Sequence, residues 1–325
     1  MKGIPELKKL IEDDIEKLTY PDTPLNLYQP IRYILGLGGK RVRPLLMLIS
    51  HQLFDNNIQS SLSTSIAIEV FHNFTLLHDD IMDNAPIRRG KQTVHEKWNK
   101  NVAILAGDAM MIDAYRLIVN SKIPNMSKVL DVFNKAAKDV CEGQQLDMDF
   151  ELRNDVNIDE YLKMIEYKTS VLIAASLQIG SINAGASKED SEAIYKFGKY
   201  MGIAFQLKDD LLDTFGESDA FGKQVGGDII SNKKTYLYLR ALQETSEKQK
   251  EDLLRHFSFD SRTNEENDRK IRDIQEIFLD IDIPKKTMMI IEKYYQKSLD
   301  YLETINSANK DILLDFCNSL VYRYK

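Results

Sequence analysis

Residues 79–83 read Asp-Asp-Ile-Met-Asp, so Asp79 and Asp83 stand at i and i+4 and share one face if the segment is helical. Like charges in that relation repel each other, and hard oxygens aimed together suit a divalent cation such as Mg2+. A lone run of this kind reads more readily as a solvated helix end. Here the preceding apolar residues, Val70-Phe71 through Leu76-Leu77, argue against solvation on every side. The spacing then recurs at Asp209, Asp210 and Asp213, inside the apolar pattern Phe205, Leu207, Leu211, Leu212 and Phe215. Two such motifs could face each other across a helical bundle, whose interior is a common place for metal sites. Zinc does not suit them, because no His or Cys ligands of suitable spacing accompany the acids.

Basic residues alternate with these acids. Lys40, Arg41 and Arg43 lie in GGKRVRP, Arg88 and Arg89 follow the first acidic run, and Lys168 precedes Thr169 in EYKTS. Lys223, Lys233 and Lys234 punctuate the glycine-rich FGKQVGGDIISNKKT. Guanidinium forks and ammonium groups are what a diphosphate requires. Any one cluster is ordinarily a solvated face. Acids in pairs and bases in clusters along apolar helices together call for a ligand that brings metal and phosphate at once.

The elements that must position these residues are helical. Leu7, Leu10, Ile11 and Ile15 fall on one face of a first helix, and similar periodicity runs almost to the end, with few β-type alternations. Breaks are expected near Pro21 to Pro30, Gly36 to Gly39, Asn84 to Gly90, Pro124, Asn154 to Asn157, Gly185 to Asp190 and Gly216 to Asn232. The polar stretch from Ser258 to Lys270 reads as a surface excursion. No linker divides the 325 residues, so one all-α domain over 1–325 is expected. A net charge of −7 gives no support for a nucleic-acid partner. The charged N-terminus is unlike a signal peptide, and the apolar stretch from Val171 is too interrupted to span a bilayer, so a cytoplasmic protein is expected. Cys141 and Cys317 have no metal-type spacing, and each reads as a buried apolar residue in a reducing compartment. Neither a P-loop nor a dinucleotide-binding glycine pattern occurs, and the histidines show no nucleophile–base signature.

The order GGKRVRP, LLHDDIMDNAPIRRG, GQQLD at 143, YKTS at 167, FQLKDDLLD at 205, GKQVGGD at 222 and NKKTY at 232 resembles the trans-isoprenyl (polyprenyl) diphosphate synthases. The family includes farnesyl and geranylgeranyl diphosphate synthases, and the resemblance covers most of the chain. It implies an antiparallel helical bundle around a deep central cavity, working as a homodimer. It also implies Mg2+-dependent condensation of isopentenyl diphosphate with an allylic diphosphate. Asp79 and Asp83 resemble ligands of two Mg2+ ions, and Asp209 and Asp213 those of a third, with Asp80 and Asp210 behind them. Lys40, Arg43, His72 and Arg89 resemble the isopentenyl diphosphate site. Arg88, Lys168, Lys223 and Lys233 resemble the clamp on the allylic diphosphate, and the loop Gly216 to Asn232 a lid over it. Thr169 and Gln206 resemble residues beside the reacting carbons, and Gln144 one that lines the same cavity.

Two rivals share parts of this pattern. A class I terpene cyclase has the first acidic motif but no isopentenyl site, against which GGKRVRP argues. A non-catalytic subunit of a heteromeric synthase would be expected to have lost acids, and all six are present. Product length follows from the resemblance. An aromatic at Phe74, the small Thr75 one turn before Asp79, and no insertion in the motif resemble geranylgeranyl synthases, with Phe71 about 12 Å from Asp79 along the helix. A C20 product is expected, with C15 as the alternative.

Overall fold

A computed structural model describes residues 2–216, 225–258, 263–307 and 309–322. The first half contains α1 (Ile4–Glu16), α2 (Leu25–Gly36), α3 (Val42–Gln52), α4 (Gln59–Met82), β1 (Ile87–Arg88), β2 (Lys91–Gln92), α5 (Val94–Lys97), α6 (Lys100–Asn120) and α7 (Met126–Leu152). Then come α8 (Ile158–Ile165), a π-helical turn (Glu166–Ser170), α9 (Val171–Asn183), α10 (Lys188–Phe215), α11 (Gly227–Ile230), α12 (Tyr236–Glu244), α13 (Glu247–Phe257), α14 (Asn264–Asp280), α15 (Ile283–Glu303) and α16 (Asp311–Val321). The all-α expectation holds, and the sole sheet among the described residues is the two-stranded hairpin β1–β2. None of the described helices is long and apolar enough to cross a membrane.

The chain divides into two compact units. Counting described residues only, the first comprises residues up to 135, 172–195 and 304–316, and the second comprises 136–171, 196–303 and those from 317 onward. In the first unit the apolar periodicity becomes burial. Leu7, Ile11 and Ile15 of α1 are inside, and α4 is buried from Thr64 through Phe71, packing on α3 and α6. Each large apolar side chain so buried contributes about 1.5–3 kcal/mol, so the helix that carries the first acidic run is a core element. In the second unit Met201, Ala204 and Leu207 hold α10 in the interior. Asn157 and Glu160 form a reciprocal capping box that fixes the start of α8.

Four expectations need correction. Pro30 does not break the chain but sits buried inside α2, where it forfeits one intrahelical bond and its ring fills a core position. The interval Asn84 to Gly90 contains β-structure as well as a break. Arg88 pairs with Lys91 around Arg89 (φ 53°) and Gly90 (φ 72°), the positive dihedrals that a tight two-residue hairpin turn demands. The stretch Ser258 to Lys270 is not a surface excursion throughout. A Thr263–Glu266 capping box starts α14, and Lys270 is buried against Asn232. Cys317 is buried with its thiol pushed up by desolvation, but Cys141 is exposed on the outer face of α7.

Candidate active site

In the first unit, the Asp83 N–H bonds to the Asp79 carbonyl at 2.9 Å, so helical geometry reaches Asp83 and the two carboxylates do share a face. Asp79 stands in the last turn of α4 and Asp83 is its C-cap, at the negative end of the helix dipole, where each acid is unfavourable by some 0.3–1 kcal/mol. A cation bound there would remove that cost. The intervening Asp80 serves differently: it is buried and accepts from Arg88 Nε at 2.8 and 2.9 Å, and Arg88 also reaches Asp79 at 3.5 Å. Burial raises the Asp80 pKa despite Arg88. The turn is pinned by His78, which meets Phe74 edge to face at 4.8 Å and lies where a β-carbon at Gly107 of α6 would fall.

Arg43, His72 and Arg89 come together in the same unit. Arg43 donates to His72 Nε2 at 2.9 Å, which places the proton of a neutral imidazole on Nδ1. Burial, then Arg43 and Arg89, hold the His72 pKa well below its usual value, and burial pushes that of Arg43 down to about 10. Arg89 donates to the Gly38 carbonyl and lies flat against Gly39, where a β-carbon would stand 3.0 Å from its Cζ. Lys40 follows at an exposed position. Arg41, by contrast, is a structural ion: buried, it bonds Glu69 at 2.7 Å, Glu12 at 2.9 Å and the Leu35 carbonyl. Arg43 and Arg89, with His72 between their charges, make a setting that suits an anion.

In the second unit, Lys168 and Thr169 project from the π turn between α8 and α9. Lys168 meets Asp147 of α7 at 2.5 Å, and Thr169 donates to Gln206 Oε1 of α10 at 2.9 Å. Gln206 in turn donates to Asp210 Oδ1 at 3.0 Å, and Tyr161 donates to Asp210 Oδ2. Asp210 is therefore the buried hub of a hydrogen-bonded chain, its pKa raised by burial and by the charge of Asp228. Asp209 and Asp213 are partly exposed on another face of α10. Asp213 is oriented by the start of α11, accepting from Asp228 N–H at 2.9 Å, while the Gly226 N–H bonds its carbonyl. Gln144 keeps a buried amide donor, Nε2, without a partner among the described residues. Lys233 donates its N–H to the Asp228 carbonyl, and Lys234 covers the end of α7 through the Phe150 carbonyl at 2.6 Å. Lys223, with residues 217–224 of the expected lid, lies outside the described residues.

The acids fit a hard divalent ion. Among the described residues no three His, Cys, Asp or Glu side chains gather as a ready cluster. The carboxylates come instead in pairs on one helix face, which suits Mg2+ that keeps its waters and takes phosphate oxygens. Asp147 and Tyr161 escaped the sequence reading. Asp147 was visible in GQQLD, one turn after Gly143, whereas Tyr161 has the spacing of an ordinary core residue beside Met164 and Ile165.

The polyprenyl synthetase family model matches residues 24–277. A geranylgeranyl diphosphate synthase from Methanosarcina mazei is 42% identical over 238 residues, 72% of this chain and 73% of that one. A geranylgeranyl pyrophosphate synthase from Geoglobus acetivorans is 35% identical over 323 residues, 98% of each chain. A crystal structure of a geranylgeranyl pyrophosphate synthase superposes with a TM-score of 0.95 at 44% identity, covering 100% of both chains. The paired acids, the cationic cluster of the first unit and the Lys168–Thr169 turn thus sit in a fold shared along the whole length with these synthases. The chain belongs to the polyprenyl synthetase family.

Proposed function

We propose that this protein is a Mg2+-dependent geranylgeranyl diphosphate synthase, joining isopentenyl diphosphate to an allylic diphosphate until the chain reaches C20. The observation that carries the reading is the repeated pair of carboxylates sharing one helix face, Asp79 with Asp83 and Asp209 with Asp213. The geranylgeranyl synthases among the relatives support the product length. The family match runs through both compact units, which supports their working as one domain.

Bound Mg2+, three ions in this reading, would neutralise the diphosphate as it departs. Arg88, Lys168, Lys233 and Lys223 hold the allylic diphosphate, and Gln144 Nε2 is a donor without a partner among the described residues that a ligand oxygen can take up. Lys40, Arg43, His72 and Arg89 hold isopentenyl diphosphate, with neutral His72 positioned by Arg43. The allylic C1–O bond breaks, its electron pair leaving with the diphosphate. The isopentenyl double bond attacks C1, and a proton passes from the new cation to the released diphosphate. Thr169 and Gln206 flank the reacting carbons, fixed by their mutual bond. No protein nucleophile is needed.

A homodimer is part of the proposal. Leu105, Ile112 and Val119 stand at i, i+7 and i+14 on α6 and are 61%, 68% and 54% exposed, an apolar stripe suited to a second copy. The deciding experiment supplies isopentenyl diphosphate, Mg2+ and a C5, C10 or C15 primer, and identifies products by mass spectrometry. A C20 diphosphate is expected from each primer. A hydrocarbon from farnesyl diphosphate alone, or no product from the protein by itself, overturns the proposal.

A further inference from the structure

The π turn that carries Lys168 and Thr169 is gripped by two glycines. A β-carbon at Gly143 of α7 would lie 2.2 Å from the Lys168 backbone nitrogen and 2.7 Å from its Cα. A β-carbon at Gly202 of α10 would lie 2.4 Å from Ser170 Oγ and 2.8 Å from Ser170 Cα. Both positions are buried, and both contacts are closer than any real β-carbon can tolerate. The turn itself is fixed by a wide bond from the Val171 N–H to the Glu166 carbonyl and by the Ser170 hydroxyl on the Lys199 carbonyl of α10.

The same two helices supply the partners of the turn's side chains, each one helical turn further on. Asp147, four residues after Gly143, binds Lys168, and Gln206, four residues after Gly202, binds Thr169. Residues at i and i+4 share a face, so a helix that approaches the turn through its glycine necessarily presents its polar partner to the neighbouring side chain. The extra residue of a π turn rotates the side chains beyond it relative to an α-helix, and such turns persist where the surroundings over-determine them.

We infer that Gly143 and Gly202 are positioning residues for prenyl transfer: they let α7 and α10 close on the π turn and thereby set where the Lys168 ammonium and the Thr169 hydroxyl point. This rests on the prenyl-transfer reading above. Neither glycine touches substrate; each acts through the backbone it admits.

The test compares Gly143→Ala and Gly202→Ala with Gly180→Ala. Gly180 is a control of equal steric severity, since its β-carbon would lie 2.2 Å from the Met47 carbonyl, far in sequence from the turn. Displacing reacting groups by about 1 Å can cost about 10²-fold. In the two clasp variants kcat should fall by about that factor and KM for the allylic diphosphate should rise at least about tenfold, while KM for isopentenyl diphosphate moves less than about threefold. Gly180→Ala should lose thermal stability with both KM values and kcat per folded molecule unchanged. A second readout needs no turnover: hydrogen-exchange protection of the Val171 amide should fall at least about tenfold in the clasp variants and not in Gly180→Ala. If Gly202→Ala does not fold, Ser170→Ala/Gly202→Ala removes the 2.4 Å collision and is measured against Ser170→Ala. Unchanged Val171 protection together with an unchanged KM ratio overturns the clasp. Inactive wild-type protein overturns the function reading instead, and the exchange measurement still decides the clasp.

Discussion

The Tyr161 hydroxyl donates to Oδ2 of Asp210, and this bond ties the central acid of the second aspartate run to the protein's own scaffold. Gln206 holds the other oxygen and Thr169 holds Gln206, so a residue of α8 is linked to Thr169 of the π turn through three hydrogen bonds. Networks of this kind stiffen a site when every member is satisfied.

Tyr161→Phe should therefore cost about 1–3 kcal/mol of stability, because a buried carboxylate loses a partner that water cannot replace. The same change should lower kcat through Gln206 and Thr169 without changing KM for isopentenyl diphosphate. Denaturant unfolding and two-substrate kinetics check both parts; a variant as stable as wild type would remove Tyr161 from the network.

The aspartate runs were legible because two periods coincide in them, the 3.6-residue apolar repeat and the i, i+4 acid spacing. That Asp80 and Asp210 turn inward to Arg88 and Tyr161 was not legible, since nothing local in either run distinguishes its middle acid from its neighbours. The hairpin that aims Arg89 at Gly38 was hidden for a related reason. Two strands of two residues each carry no alternation to read, and Arg89 adopts its left-handed backbone because of the turn and not because of its own preference. The π turn likewise leaves EYKTS looking like ordinary helix, and its close contacts at Gly143 and Gly202 come from helices distant in sequence.

The outward and inward acids should separate experimentally. Asp79→Ala and Asp209→Ala should each lower kcat by at least about 10²-fold and raise the Mg2+ concentration needed for half-activity. Asp80→Asn should leave that Mg2+ requirement within about threefold, its main effect being release of Arg88. Near-wild-type turnover of Asp79→Ala or Asp209→Ala at saturating Mg2+ would exclude the carboxylate pairs as metal ligands.

Arg43 and Lys168 belong to different substrates in this reading. Arg43→Ala should mainly raise KM for isopentenyl diphosphate, and Lys168→Ala mainly that for the allylic diphosphate, each by about 30-fold for the loss of about 2 kcal/mol. An Arg43→Ala enzyme weakened only toward the allylic substrate would reverse the assignment.

His72 makes a stability prediction with a definite sign. Its folded pKa lies well below the usual 6.5, because burial and then Arg43 and Arg89 oppose a second proton. Below about 6.5 the unfolded chain binds a proton that the folded chain refuses, so stability contributed by His72 is complete above that pH and is lost as the pH falls below it. The thermal midpoint of the wild type should drop between about pH 6.5 and 5.5 more steeply than that of His72→Gln. Parallel curves for the two proteins would show that His72 accepts its proton in the fold.

Product length should be read by the helix that carries the first acidic run. Phe74 lies tilted against Phe71 at 5.5 Å between ring centres, and Phe71 meets Phe133 of α7 edge to face at 5.1 Å. Thr75 adjoins Phe74 in sequence and stands one helical turn before Asp79. Thr75 is small and partly exposed, with its hydroxyl turned back to the His72 carbonyl at 2.8 Å, and in the proposed reading it leaves this face open to a growing prenyl chain. In the proposed reading an aromatic ring at that position would shorten the space for the chain by several methylene lengths. Thr75→Phe should shift the main product from C20 toward C15. Phe74→Ala should lengthen it beyond C20 while costing about 3–5 kcal/mol of stability for the cavity left behind. Phe74 also braces His78 at 4.8 Å, so its removal should slow turnover as well as lengthen the product. Mass spectrometry of products at low conversion measures both shifts, and unchanged distributions in both variants would mean that the rings are core packing and the ruler lies elsewhere.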